Sequence, residues 1–318
     1  MSIKLGYLFM KKLLLLLITL TALLSIDFLY ADGIEKGNTK VILLGTGTPN
    51  PDPKHSGPSV AIVVNDTPYI VDFGPGLIRR AAELSPEYGG KIKAMSVQNF
   101  KKAFLTHLHS DHTAGYPDLI FTSWVAGRDE PLEVYGPKGT KNMTEKLLEA
   151  YRADIDYRLH EGEPINSKGC EVVVHEIENE GVIYKDDNVK VEAFPVKHGS
   201  WQNAYGFRFT TPDKVIVISG DTIPCDNIIK YSKGADILVH EVYSKDKFDK
   251  KDEFWKQYHS KNHTSTIQLG EIASKAKPGL LVLYHILAWG SSDEELLLEI
   301  KEKYNGKVVV GSDLDIFD

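Results

Sequence analysis

Short apolar runs alternate with amphipathic stretches along most of the 318-residue chain. Apolar or β-branched runs between turn signals predict strands, and apolar positions three to four apart predict helices. The predicted strands are Lys40–Leu44, Val60–Val64, Tyr69–Asp72, Ala103–Leu105, Leu132–Tyr135, Cys170–His175, Val189–Phe194, Tyr205–Phe209, Lys214–Ile218, Ile237–His240, Leu280–Tyr284 and Lys307–Val310. The predicted helices are Leu77–Leu84, Pro117–Val125, Thr140–Tyr151, Asp226–Tyr231, Thr264–Ala276 and Ser292–Tyr304. This content predicts two packed sheets with helices outside.

The first part of the chain has a different pattern. Leu13–Ile26 is almost purely apolar, lysines precede it, and Asp27 ends it before it reaches the length of a membrane span. Because a plausible cleavage site at Leu29–Ala31 follows, we predict a signal peptide over residues 1–31 and a mature domain over residues 32–318. This order of parts predicts a periplasmic or secreted protein without a stable membrane anchor. A buried N-terminal helix is the alternative.

Charge and cysteine content narrow the class of protein. The formal net charge is −7, and basic residues form no stripe interleaved with aromatics. Nucleic acid is therefore an improbable partner on this pattern, and the lysines of Lys245–Lys251 are interpreted as a solvated face because carboxylates alternate with them. With only Cys170 and Cys225, a disulfide framework is excluded and a single bridge stays open. A homodimer is an open option.

The segment Thr106–His112 carries three histidines and an aspartate directly after an apolar run. In an extended strand end, His107 and His109 point the same way and can reach one cation. Asp111 and His112 follow where the chain turns into a helix, and they can reach a second cation. The pattern H-x-H-x-D-H therefore predicts a metal site, whereas a polar surface loop is the alternative.

Further ligand candidates lie where other predicted strands end. His198 follows the run ending at Phe194, Asp221 follows Val215–Ile218, and His285 closes Leu280–Tyr284. Open sheets place their chemistry at such strand ends. Any one of these residues alone is more commonly structural, but together with the opening motif they predict a dinuclear centre.

These motifs resemble the metallo-β-lactamase superfamily from about Val41 to the C-terminus. The similarity is greatest to the branch that holds ribonuclease Z, the tRNA 3′-processing endonuclease, and the zinc-dependent arylsulfatases. It rests on the H-x-H-x-D-H motif and on Leu44–Pro49, Val71–Gly76, Ser219–Thr222, His240–Glu241 and His263–Ser265. The resemblance implies an α+β fold, the αββα sandwich. It also implies one zinc on His107, His109, His198 and Asp221, and a second on Asp111, His112, Asp221 and His285, with Asp221 bridging.

Two zinc ions sharing a hydroxide supply a nucleophile at neutral pH. The resemblance implies that Asp111 accepts a proton from the attacking water, and that His263, oriented by Glu241, protonates the leaving group. A carboxylate beside His263 is expected to raise the imidazole pKa. Asp72 is expected to orient a ligand histidine rather than to bind metal. For Glu241 and His240, a pair that caps the end of a strand is the alternative.

Specificity is predicted from what surrounds the motifs. The arginines with which ribonuclease Z holds phosphate are missing after His285 and in the early loop Pro53–Ser56. Trp201 and Trp289 instead suggest an aromatic-walled pocket, although either could be core. We therefore expect a dizinc hydrolase of small sulfate or phosphate esters, similar to an arylsulfatase. A ribonuclease Z-like phosphodiesterase, a lactonase or thioesterase, and a non-catalytic metal-dependent binding protein are the alternatives.

Overall fold

A computed structural model describes residues 38–163 and 165–318. Residues 38–318 form one compact unit. The predicted signal peptide lies outside the described residues, so it stays a prediction together with export. Within the described ranges, every helix is too short or too polar to cross a membrane.

The first sheet has seven strands in the order β14-β1-β2-β3-β4-β5-β6. Their bounds are β1 Thr39–Gly45, β2 Ser59–Val64, β3 Thr67–Val71, β4 Lys102–Phe104, β5 Leu132–Gly136, β6 Val172–Glu176 and β14 Ile316–Phe317. The pairs from β14 to β3 are antiparallel, whereas β3, β4, β5 and β6 run parallel. The parallel half therefore directs the ends of β3 and β4 to the same edge, where Asp72 and the H-x-H-x-D-H segment follow.

The second sheet repeats this plan in the order β13-β12-β11-β10-β9-β8-β7. Its strands are β7 Gly181–Lys185, β8 Lys190–Pro195, β9 Tyr205–Thr210, β10 Val215–Ile218, β11 Ile237–Tyr243, β12 Leu280–Leu287 and β13 Val308–Val310. The pairs among β10, β11, β12 and β13 are parallel, and those among β7, β8, β9 and β10 are antiparallel. Asp221, Glu241 and His285 thus lie at the carboxyl-end edge of neighbouring parallel strands.

Helices cover the outer face of each sheet. They are α1 Leu77–Leu84, α2 Ser110–Thr113, α3 Tyr116–Val125, α4 Thr140–Ala150, α5 Arg152–His160, α6 Asp226–Ser232, α7 Lys245–Asp249, α8 Glu253–Asn262, α9 Thr266–Ala276 and α10 Asp293–Lys301. Short 3₁₀ turns occupy Pro86–Tyr88, Lys93–Met95 and Val97–Asn99.

Three apolar layers hold the four-layer arrangement together. Val41 and Leu43 of β1 face the layer between the sheets, while Ile42 and Leu44 face the outer helices. The third layer packs α9 and α10 on the second sheet. Because the strands are covered on both faces, they are near-continuous apolar runs rather than alternating ones. The predicted αββα sandwich is confirmed.

Every predicted strand and helix has a counterpart among the described residues, with shifts of a few residues at the ends. The sequence analysis expected the helix that α2 forms at Asp111 and His112, but it missed β7, β14 and three helices, α5, α7 and α8, of which α8 matters most for the site. Both cysteines are free thiols, so the bridge left open from the sequence does not form. Lys245–Lys251, interpreted as a solvated face, contains α7, with i,i+4 ion pairs that support short exposed helices.

Candidate metal centre

The H-x-H-x-D-H segment is held in place by Asp72. The Asp72 carboxylate accepts hydrogen bonds from the Thr106 backbone N–H (2.8 Å) and from the Thr106 hydroxyl (2.9 Å). Its Oδ2 also lies 2.8 Å from Nδ1 of His112. Asp72 thereby fixes the orientation of the His112 ring, so that Nε2 points away from Asp72 and toward Asp111 and Asp221. Carboxylates that orient metal-binding histidines make the same contact. Thr106 was missed by sequence reasoning, because only the fold shows that its hydroxyl contacts Asp72.

One group of ligand atoms is formed by three histidines. His109 Nδ1 lies 3.0 Å from His107 Nε2 and 3.1 Å from His198 Nε2. Asp221 Oδ2 is 3.9 Å from the Nε2 atoms of both His107 and His198. On the far side of its ring, His198 contacts the Asn262 carbonyl oxygen through Nδ1 at 2.7 Å, a partner that the sequence did not reveal. These four residues form one cluster with metal-ligand spacing.

A second group lies on the other side of Asp221. Asp111 Oδ2 is 3.2 Å from His285 Nε2 and 3.5 Å from His112 Nε2. Asp221 faces the same two imidazoles, with Oδ1 3.5 Å from His112 Nε2 and Oδ2 3.5 Å from His285 Nε2. Asp221 therefore borders both groups, and the structure brings together all seven residues that the sequence singled out as ligand candidates.

The donor set fits divalent metal. Ligand atoms bound at about 2.0–2.1 Å to a tetrahedral zinc ion lie about 3.4 Å from one another, close to the separations in both groups. His112 Nε2 and Asp221 Oδ1 are buried and make no hydrogen bond with any described residue. Because an unpaired buried polar atom costs free energy, the arrangement is explained by cations that these atoms can ligate.

The backbone at the site is strained. Asp72 and His285 adopt left-handed φ values of 59° and 45°, which are uncommon for residues other than glycine. At Gly220, with φ also 59°, an added Cβ would lie 2.8 Å from the Tyr205 carbonyl oxygen and 2.9 Å from Thr106 Cβ. Glycine therefore lets Asp221 approach the histidine loop. Such strain, about 1–3 kcal/mol for each residue, persists where the surrounding structure fixes it, typically at functional sites.

Charges at the site follow from burial and from the neighbouring groups. Burial lowers the pKa of His107 well below its ordinary value, and it lowers the pKa of His109 and of His198 to about 4. Burial opposes ionisation of Asp221, but the neighbouring imidazoles, His285 foremost, hold its pKa well below the ordinary value. The first group is therefore poised as neutral imidazoles around an ionised carboxylate, the forms that bind metal. In the second group burial is outweighed by the Asp221 charge, which raises the pKa of His112 and of His285, so metal binding there must displace a proton.

His263 and Glu241 lie beside the two ligand groups. His263 also forms a third cluster with metal-ligand spacing, together with Asp221 and His285. His263 Nδ1 is 3.4 Å from Glu241 Oε2 and 3.9 Å from Asp221 Oδ2. Burial lowers the pKa of His263 to about 4, so the rise expected from the sequence is wrong: desolvation outweighs the carboxylates. Burial and then the Asp221 charge raise the pKa of Glu241 well above its ordinary value. His240 contacts the Glu241 carbonyl oxygen at 2.6 Å and belongs to neither ligand group.

The two tryptophans border separate clefts beside the centre. Trp201 lines the His109 cleft, a volume of about 740 Å³, and its indole N–H donates to His109 Nε2 at 2.8 Å. Trp289 lines the His263 cleft, about 580 Å³, with its ring centroid 4.6 Å from that of His259. Trp201 contacts a ligand candidate directly, whereas Trp289 packs within an aromatic cluster.

Comparisons with known proteins place this architecture in a family. The model of the beta-lactamase superfamily domain matches residues 68–286. Ribonuclease Z of Mycobacterium bovis (strain BCG) is 34% identical over 281 residues, covering 86% of this chain and 96% of that protein. Ribonuclease Z of Mycobacterium marinum is 33% identical over 286 residues, with the same coverage of both chains.

Solved structures share the fold. Human tRNase Z, short form, has a TM-score of 0.64 at 21% identity, covering 88% of this chain and 98% of its own. The metallo-beta-lactamase fold protein YhfI from Bacillus subtilis has a TM-score of 0.67 at 19% identity, with the same coverage.

The curated relatives overturn one expectation. Proteins named ribonuclease Z contradict the prediction of a small-molecule ester substrate and of nucleic acid as an improbable partner. The inference failed because net charge averages over the whole surface, whereas recognition depends on the field and the contacts at one site. The family match, the shared fold and the clustered ligand candidates agree: the chain is a metal-dependent hydrolase of the metallo-β-lactamase superfamily and belongs to its ribonuclease Z branch.

Proposed function

We propose that this chain is a ribonuclease Z-type phosphodiesterase that cleaves RNA precursors at their 3′ side with two zinc ions. The observation that carries the proposal is the 34% identity to a ribonuclease Z across 96% of that protein's length. The similarity is not confined to the superfamily motifs, because it extends over 281 aligned residues. The clustered ligand candidates supply the chemistry that such an activity requires.

The two groups of side chains would hold one ion each. His107, His109 and His198 would hold the first, Asp111, His112 and His285 the second, and Asp221 would be shared between them. When bound, such ions activate water at neutral pH and polarise a phosphoryl oxygen.

The chain's own residues would position and move the protons. Asp111 is buried but, at 8% exposed, it is more exposed than His112, His285 and Asp221, and it would accept a proton from the attacking water. His263 presents its buried Nδ1 to Glu241, and the imidazole lines the His263 cleft. With Nδ1 facing Glu241, the opposite ring nitrogen is the atom that would protonate the leaving ribose oxygen. This role requires the phosphate charge of the bound substrate to raise the imidazole pKa above the value of about 4 that burial sets.

The fold also brings an arginine to the early loop, where the sequence has none. Arg80 of α1 reaches across to this loop, with Nε 3.2 Å from Ser56 Oγ and 3.5 Å from Asp313 Oδ2. The missing loop arginine was one reason to expect a small ester. Because Asp313 and Glu83 already pair with this guanidinium, Arg80 holds the loop in place and leaves the phosphate contacts of the proposed function to other cations.

The test is a substrate panel on the zinc-loaded full chain. We expect endonucleolytic cleavage of a tRNA precursor that carries a 3′ trailer, and hydrolysis of bis(p-nitrophenyl) phosphate. p-Nitrophenyl sulfate and a simple lactone serve as contrasting substrates. Rapid hydrolysis of either of these two, with the precursor left intact, would overturn the proposal.

A further inference from the structure

Large aromatic side chains are exposed on one face of α8. Phe254, Trp255 and Tyr258 are 71%, 45% and 41% exposed. Tyr258 follows Phe254 by four positions and Trp255 by three, spacings at which helical side chains are neighbours. The ring centroids of Phe254 and Trp255 are 5.4 Å apart and those of Trp255 and Tyr258 are 5.9 Å apart, so the three rings form one surface, which we term the α8 face. Asp252 fixes the start of this helix, because its side chain accepts a hydrogen bond from the Trp255 backbone N–H at 3.0 Å.

The α8 face separates the two clefts that lead to the metal centre. Phe254 and Tyr258 line both the His109 cleft and the His263 cleft. Behind the face, Trp255 stacks on His259, with ring centroids 5.6 Å apart, and His259 is 5.8 Å from His263. A chain-like substrate that reaches the centre through either cleft therefore passes these rings.

The surroundings of the α8 face are basic, although the protein is acidic. Residues 245–261 contain six lysines and four carboxylates. Four of these lysines make ion pairs inside the segment. Lys251 and Lys261 make none with any described residue, and they line the His263 cleft and the His109 cleft respectively. Each cleft is thus lined by a cation without a carboxylate partner among the described residues, and Lys251 Nζ lies 3.9 Å from the centroid of the Trp289 ring.

We infer that the α8 face is a stacking platform for the unpaired nucleotides next to the scissile phosphate. The inference rests on the proposed function and specifies which nucleotides of the RNA the site binds. Nucleobases would stack on Trp255, Phe254 and Tyr258, while Lys251 and Lys261 pair with the adjoining phosphates. Stacking on rings tolerates any base, so recognition depends on an unpaired strand rather than on its sequence.

A cycle of two proteins and two substrates tests this inference. The substrates are a tRNA precursor with an ordinary 3′ trailer and the same precursor with an abasic trailer, which keeps every phosphate. We expect Trp255→Ala to lower kcat/KM about 10- to 100-fold on the ordinary precursor. On the abasic precursor the loss should be much smaller, because the stacking partner is already absent. Trp255→Phe keeps a ring and should restore most of the activity.

The matched control is Tyr88→Ala. Tyr88 is 77% exposed but lines neither of the two clefts, so its truncation should change neither substrate's kcat/KM. Thermal melting followed by circular dichroism shows that each variant is folded, which is expected because both side chains are exposed.

Three results would overturn the platform. Trp255→Ala could affect both precursors equally, or neither of them. It could instead turn a dimer into a monomer in sedimentation velocity while slowing both precursors alike, which would make the α8 face a contact between copies. A wild-type chain that cleaves neither precursor overturns the proposed function itself, so the two failures are distinguishable.

Discussion

The metal centre and the α8 face lie next to each other but are built in opposite ways. The ligand candidates come from the ends of several strands, are largely buried, and leave polar atoms unpaired when no cation is present. The aromatic rings of the α8 face come from one short helix and are exposed. Reactivity therefore depends on how the two sheets pack, whereas the proposed stacking platform for the substrate depends on a single helix.

The largest effect is expected from removing the carboxylate that both ligand groups border. Asp221→Ala should abolish hydrolysis of every substrate, because both ligand groups lose the carboxylate that borders them. Metal analysis should give about two zinc equivalents for the wild type and fewer for the variant. Chelation should abolish wild-type activity reversibly. A wild type that is fully active with one equivalent would disprove the dinuclear arrangement.

The next largest effect separates proton transfer from metal binding. His263→Ala should keep the zinc content but lower kcat about a hundred- to ten-thousand-fold on RNA, whose leaving ribose oxygen needs a proton. On bis(p-nitrophenyl) phosphate the loss should be smaller, since nitrophenolate is already a stable anion. The exposed His160 provides the control, and His160→Ala should match the wild type. Equal losses on both substrates would assign His263 a structural role.

A smaller effect concerns the support of the ligands. Asp72→Asn should weaken zinc affinity or activity about 10- to 100-fold, because the amide cannot hold His112 Nδ1 and the Thr106 loop as an ionised carboxylate does. Asparagine tolerates the left-handed backbone at this position, so the fold should persist. Asp72→Ala also tests the left-handed backbone at this position, and this variant should unfold at a lower temperature than the wild type. Unchanged zinc affinity in Asp72→Asn, measured by competition with a chromogenic chelator, would remove Asp72 from the centre.

The smallest effect lies where the two regions meet. Burial lowers the pKa of His259 to about 4, below the value near 6.5 of an unfolded chain. The folded state therefore resists protonation, so the contribution of His259 to stability is present above pH 6.5 and is lost as the pH falls from about 6.5 to 4. In His259→Gln the free energy of unfolding, measured with urea, should fall less over this range than in the wild type. If the free energy of unfolding changed with pH to the same extent in both proteins, the lowered pKa of His259 would be contradicted.

Local pattern predicted most of the fold because each β-run and amphipathic helix is specified by neighbouring residues. The elements that were not predicted have a weak sequence signal for a physical reason. Gly181–Lys185 is only partly buried, and Ile316–Phe317 has two residues, so neither carries a strong apolar signal. Helix α8 has apolar residues that face solvent, so its pattern does not resemble a helix packed on a core.

The residues of the candidate centre were also named from the sequence, because metal chemistry demands histidine and aspartate at the ends of strands. Charge and missing arginines misled the prediction of the substrate. Arg80 approaches the early loop from a helix about two dozen residues further along the chain. Lys251 and Lys261 line the clefts and make no ion pair with any described residue, whereas four neighbouring lysines pair with carboxylates.

The sequence by itself therefore determined the layers, the ligand types and the order in which they occur. Only the tertiary structure decided which atoms face one another: Asp221 between the two groups, Thr106 against Asp72, and the α8 face between the clefts. The physical reason is that periodicity and composition act over a few residues. A ligand shell or a binding surface is made by residues far apart in sequence, and their distances are set by how the two sheets pack.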